Sequence, residues 1–133
     1  MRRLFGGSAL EAPPGSSWDA LEAEQRRNED ARVRCVGLAL ETRPDYVDEA
    51  EVLRLRRLGA TKIQLGLQSL SDAVLAENQR GHDVAASRRA MRLLRAAGFK
   101  IHAHWMPNLL GATPGSDRED FRRLFEDPDF RPD

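Results

Sequence analysis

A chain of 133 residues, 41% hydrophobic and 32% charged, has the size and composition of one globular domain with one core. Its 21 basic and 21 acidic residues cancel, which removes any global electrostatic case for nucleic-acid or membrane binding. A single cysteine, Cys35, excludes an internal disulfide and any all-cysteine metal site. There is no run of about 18 apolar residues to cross a bilayer. Met1-Arg2-Arg3-Leu4-Phe5-Gly6-Gly7 lacks the apolar stretch of a secretory signal, so the expected location is the cytoplasm, with no membrane partner.

Residues 1–17, rich in Gly, Pro and Ser, read as a flexible N-terminal segment ahead of a folded portion over 18–133. Trp18 to Asp30 has helical propensity with few apolar positions. Three apolar runs of strand length follow, Cys35–Thr42, Lys62–Ser69 and Phe99–Met106, each succeeded by turn chemistry and a helical stretch. Cys35 falls inside the first run, where a small buried hydrophobe is expected rather than a reactive thiol. Asp48 to Leu58 carries Val52, Leu55 and Leu58 on one helical face and stops at Gly59. Ser71 to Asn78 gives a short helix, and Asp83 to Ala97 a longer one with Ala90, Met91, Leu94 and Ala97 inward before Gly98. The last helix is expected to start at a capping box of Ser116 with Glu119 and to bury Phe121, Leu124 and Phe125.

The order βαβαβα predicts an α/β fold with three parallel strands and outer helices. In every strand one face is apolar and the other small or polar. Val36, Leu38 and Leu40 alternate with Gly37, Ala39 and Glu41; Ile63, Leu65 and Leu67 with Gln64, Gly66 and Gln68; Ile101, Ala103 and Trp105 with His102 and His104. An open doubly wound sheet would be apolar on both faces, so the pattern favours a partial (β/α) barrel arc with a polar interior. Glu41, Gln68 and His104 then converge near the carboxyl ends of neighbouring strands, where parallel α/β folds place their active sites.

Each motif has a plain structural alternative. Glu41-Thr42-Arg43-Pro44-Asp45 is a carboxylate ahead of a proline turn, and suits either a simple strand end or a ligand contact. In Gln64-Leu65-Gly66-Leu67-Gln68-Ser69, Gly66 lets a ligand approach the backbone and Gln68 offers an amide, unless that amide serves neighbouring backbone. Arg80-Gly81-His82 sets a cation beside a flexible turn. His102 and His104 point the same way and could begin a zinc site, which would make a small metal hydrolase the rival function; no third ligand is evident. The arginines at 54, 56 and 57 and at 88, 89, 92 and 95 sit on helices as solvated faces, with an RNA patch as the alternative.

Four stretches in one order resemble the radical S-adenosylmethionine (SAM) core of the elongator catalytic-subunit family. They are Cys35-Val-Gly-Leu-Ala-Leu-Glu-Thr-Arg-Pro-Asp45, Leu58-Gly-Ala-Thr-Lys-Ile-Gln-Leu-Gly-Leu-Gln-Ser69, Arg80-Gly-His82 and Gly98-Phe-Lys-Ile-His-Ala-His-Trp-Met-Pro-Asn108. The closing Phe125-Glu-Asp-Pro-Asp-Phe-Arg-Pro-Asp133 fits the same pattern. The resemblance implies a barrel arc of the radical-SAM type and an enzyme with a 4Fe–4S cluster and SAM. It further implies acetyl-CoA as carbon donor, tRNA wobble uridine as substrate, a 5-carboxymethyl-type product, and elongator-type subunits or a homo-oligomer as partners. A broader resemblance, to radical-SAM coproporphyrinogen dehydrogenases, implies that Glu41, Gln68, Arg80 and His104 stand at SAM-contacting positions, His104 where that group has an acidic residue. The family's three-cysteine cluster loop and its acetyltransferase-like domain have no counterpart here. The piece alone is therefore expected to be inactive, a portion of a larger enzyme or else a non-catalytic remnant or partner-dependent module.

Overall fold

The computed structural model describes residues 17–133. Its elements are α1 (Trp18–Glu29), β1 (Ala39–Thr42), α2 (Glu49–Arg57), β2 (Lys62–Gln68), α3 (Asp72–Glu77), α4 (Val84–Ala96), β3 (Lys100–Trp105) and α5 (Pro114–Glu126), with a 3-10 turn at Pro44–Tyr46. The expected flexible segment and the Gly6-Gly7 pair lie outside the described residues, apart from Ser17, whose side chain caps α1 by accepting from the Ala20 amide at 3.1 Å.

The chain divides into two units, residues 1–35 and 36–133. In the first, α1 buries no residue, and the Asn28 amide clamps the Cys35 main chain, accepting from its N–H at 2.8 Å and donating to its carbonyl at 2.9 Å. Cys35 is exposed, which corrects the expectation of a buried hydrophobe.

In the second unit β1 is shorter than its apolar run suggests. Pairing with β2 begins at Ala39 opposite Lys62, and just before it Leu38 is tied to Thr61 through both main chain and hydroxyl. The residues directly ahead of Thr61 form the turn out of α2, which ends at Arg57, and Val36 stays 82% exposed.

The sheet is parallel with order β1-β2-β3. Ile63, Leu65 and Leu67 of the central strand are wholly buried under Val52 and Leu55 of α2, Ala90, Met91 and Leu94 of α4, Leu124 of α5 and Phe130. Each such aliphatic side chain contributes roughly 1.5–3 kcal/mol by leaving water. The alternating pattern thus sets one face against the helices and leaves Glu41, Gln64, Gly66, His102 and His104 on the other, as an arc of parallel strands with outer helices requires.

Two details of α5 differ from expectation. Pro114 takes the first helical position, so the cap is Thr113, in a reciprocal box with Ser116, and Glu119 instead pairs with Arg122. Leu124 is buried, but Phe121 and Phe125 remain 49% and 46% exposed. Phe121 packs at a tilt against Trp105 and Phe125 meets Phe121 edge-on along an apolar groove of about 630 Å³ beside β3, and the helical face turned to the core holds Asp120 instead.

Candidate functional site

At the carboxyl end of the sheet, Glu41, Thr42, Arg43, Tyr46, Gly66, Gln68 and Arg80 line a cleft of about 320 Å³. Three of the four residues singled out from the sequence therefore share one cavity wall, although β1, β2 and the turn after α3 supply them separately.

β2 delivers Gln68 through an irregularity. The ladder with β3 slips between Gly66, opposite His104, and Gln68, opposite Trp105. Gln68 has φ 69°, and the Ser69 N–H donates to the Leu67 carbonyl at 2.9 Å, which closes a γ-turn around it. A non-glycine residue held there costs on the order of 1–3 kcal/mol and persists only where its surroundings fix it. Here they include Asp120 of α5, 7% exposed, which accepts from the Ser69 hydroxyl at 2.6 Å and the Leu70 N–H at 2.8 Å. Gln68 is itself only 8% exposed, yet its Oε1 has no hydrogen-bond partner among the described residues. A Cβ placed on Gly66 would lie 2.9 Å from Gln68 Nε2 and 3.9 Å from Arg80 Nη2, so the bare backbone of Gly66 forms the floor beneath both side chains.

α3 presents Arg80 through its C-terminal cap. Gln79 takes a left-handed conformation, φ 52°, and the Arg80 N–H donates back to the Leu75 carbonyl at 3.0 Å. The half-buried Arg80 side chain lines the cleft, and its Nε has no partner among the described residues. The following turn is pinned twice. His82 Nε2 meets the Leu67 carbonyl at 3.2 Å, and Arg43 Nη2 donates to the Arg80 carbonyl at 2.8 Å while the same guanidinium grips both Asp45 oxygens.

His104 is the outlier among the four. It lines no wall of the cleft, but its Nδ1 lies 3.4 Å from Glu41 Oε1. β1 and β3 are separated by β2, two strand spacings of about 4.8 Å each. The contact passes beside Gly66, where no side chain stands between. The His102 ring meets that of His104 edge-on at 5.2 Å. Among the described residues no three His, Cys, Asp or Glu side chains gather as metal ligands, so this pair finds no third donor.

Of the helical arginines, Arg54, Arg88 and Arg92 pair with acids, while Arg56 and Arg95 donate to the main-chain carbonyls of Ala97 and Arg131. Arg54 binds Glu51 at 2.6 Å; Arg88 binds Asp127 at 2.9 Å and stacks over Phe130; Arg92 binds Asp129 at 2.7 Å. Hydrogen bonds from Arg92 and then Arg88 hold the Asp129 carboxyl down to about 2, and the Arg88 hydrogen bond lowers that of Asp127. Nothing in the sequence pattern singles out Arg43 or Asp120. Arg43 had one faint signal, an acid two residues on across a proline, whereas Asp120 lies 51 residues from Ser69.

The Radical SAM superfamily model matches residues 5–127. The chain is 41% identical over 124 residues to the tRNA uridine(34) acetyltransferase of Methanocaldococcus jannaschii, covering 93% of itself and 23% of that protein. It is 39% identical over 132 residues to Elongator complex protein 3 of Danio rerio, covering 99% and 24%. It therefore spans about a quarter of the length of these relatives. Among solved structures, an N-terminally truncated archaeal Elp3 from Methanocaldococcus infernus superposes with TM-score 0.81 at 40% identity, over 87% of this chain and 29% of that one. Coproporphyrinogen III oxidase from Escherichia coli, a radical SAM enzyme, shares the fold with TM-score 0.63 at 17% identity, over 86% and 27%.

Proposed function

This chain belongs to the radical SAM superfamily, and we propose that it is part of the radical-SAM core of an enzyme that modifies the wobble uridine of tRNA, with the Glu41–Gln68–Arg80 cleft as its SAM pocket. The observation that carries the pocket is the pair of buried atoms without a partner among the described residues, Gln68 Oε1 and Arg80 Nε, on two residues that line one cavity over a glycine floor. Buried polar atoms are normally satisfied, and an acceptor and a donor left open side by side suit a ligand with both kinds of group. The α-amino-acid end and ribose of SAM supply them.

Within that pocket the Glu41 carboxylate accepts from ribose hydroxyls or the amino group, the Gln68 amide bridges polar edges, and the Arg80 guanidinium pairs with the methionine carboxylate. His104, held at Glu41, borders the same end of the sheet. SAM supplies radical chemistry when bound beside a reduced iron–sulfur cluster. A 4Fe–4S cluster takes three or four thiolates, and these 133 residues hold one cysteine, so they do not by themselves fit the cluster. Acetyl-CoA as carbon donor, tRNA as substrate, elongator-type subunits as partners and a cytoplasmic setting belong to the proposal for the complete enzyme. What supports them is the similarity to the tRNA uridine(34) acetyltransferase and to Elongator complex protein 3. No described helix is long and apolar enough to cross a membrane.

The test is titration of SAM into the chain, followed by backbone amide NMR shifts, beside a thermal melt. One hydrogen bond to a charged group is worth roughly 1.5–3 kcal/mol, so Gln68→Ala and Arg80→Ala weaken SAM binding about ten- to a hundredfold. Wild-type affinity in a folded but destabilised Gln68→Ala protein would make that amide structural and remove the pocket assignment.

A further inference from the structure

Arg80 reaches the cleft from a short connection between two helices, and the Arg80 main chain is fixed by a second arginine of the cleft wall, Arg43. The Arg43 fork closes on both Asp45 oxygens, from Nε at 3.0 Å and Nη2 at 2.8 Å, and the same Nη2 spends its second hydrogen on the Arg80 carbonyl at 2.8 Å. One guanidinium thus joins the turn after β1 to the turn after α3. Gly81 makes room for it: a Cβ there would come within 2.8 Å of Arg43 Nη2, at a backbone φ of 77° that already disfavours a side chain. The Tyr46 ring, 5.3 Å from the Arg43 guanidinium, covers its face. Lysine has the charge but not the planar fork needed to hold Asp45 and the carbonyl together.

We propose that Arg43, oriented by Asp45, is a positioning residue that sets the Arg80 guanidinium against Gln68 across Gly66, so that Arg80 can receive the carboxylate of the ligand. The assignment rests on the SAM pocket proposed above. It concerns the carboxylate end of the ligand alone, which separates it from a general structural role. A structural strut would support every ligand of the cleft equally; a positioning residue for Arg80 matters only to ligands that carry the carboxylate.

Two probes, SAM and adenosine, which shares the nucleoside but lacks the amino-acid tail, are titrated into wild type, Arg43→Gln, Arg43→Lys and Arg80→Ala, with the arginine Nε–H resonances recorded throughout. The expected result in Arg43→Gln is loss of the dispersed Arg80 Nε–H signal and a SAM affinity lower by about tenfold, with adenosine unchanged. Arg43→Lys fails to restore it, and adding Arg43→Gln to Arg80→Ala brings no further loss. Asp45→Asn, which frees the fork from outside the cleft, gives a smaller loss of the same selectivity and stands in should Arg43→Gln not fold. An unmoved Arg80 signal with wild-type SAM affinity overturns the assignment, as does an equal loss for SAM and adenosine. If wild type binds neither probe, the SAM pocket falls, and the Arg80 Nε–H signal alone decides whether Arg43 sets that side chain.

Discussion

Two polar clusters lie at opposite fortunes in this fold. Where α4 meets the segment after α5, Arg88, Arg92, Asp127 and Asp129 close on one another, with every carboxylate and guanidinium engaged and Phe130 beneath. At the carboxyl end of β2 and β3 lie the buried side-chain atoms without a partner among the described residues, Gln68 Oε1, Arg80 Nε, His82 Nδ1 and Trp105 Nε1. The closed knot consists of charges that water could have served. The open end consists of groups removed from water and left unserved, which is costly unless something else completes them. Charge density therefore does not mark the site; unmet valence does.

The largest effect should come from the residue that joins the core to the open end. Asp120→Ala strands the Ser69 hydroxyl and the Leu70 N–H in a buried position, and a loss of about 3 kcal/mol in urea unfolding is expected from two hydrogen bonds to a charged acceptor. A loss below about 1 kcal/mol would show that the γ-turn at Gln68 holds without α5.

Gly66→Ala separates function from stability. Gly66 has no positive φ, so alanine fits the backbone, and its Cβ, 2.9 Å from Gln68 Nε2, pushes that amide out of its ordered position. SAM affinity should fall about tenfold while unfolding free energy stays within about 1 kcal/mol of wild type. Equal losses in both would make Gly66 a packing residue.

The closed knot should answer to acid. The Asp127 and Asp129 carboxyls are held below their unfolded value, so their contribution is complete above about pH 4 and disappears as pH falls through the folded value, about 2 for Asp129. Melting midpoints recorded between pH 5 and 2 should fall across that window, and Asp129→Asn should flatten the fall. At the smallest end, Arg122→Ala, which breaks exposed pairs with Glu119 and Glu126, should leave the melting midpoint unchanged within error.

Periodicity made most of this structure legible. Val52 and Leu55 on α2, the buried face of α4 and the inward Ile63, Leu65 and Leu67 of β2 appear as the sequence dictates, because burial follows spacing when an element has a partner along its whole length. The same rule explains the failures. Val36 has strand composition but lies ahead of the ladder, which begins at Ala39 opposite Lys62, and Phe121 and Phe125 have core spacing but face a groove. Glu41, Gln68 and Arg80 were legible through their places at strand and turn ends. The γ-turn was not, since no glycine or asparagine announces a left-handed residue at 68. Arg43 and Asp120 act across 37 and 50 residues of chain, and no local pattern encodes such a meeting.

The burial of Gln68 bears on the entropy of binding. A glutamine side chain forfeits up to about 1.5–2 kcal/mol of rotamer freedom when it is immobilised. At 8% exposure, above a floor without a side chain and on a backbone fixed by its own turn, Gln68 has already surrendered that freedom during folding. A ligand arriving at its open oxygen meets a preorganised acceptor, and the ordering cost that weakens contacts made by loose surface amides does not recur.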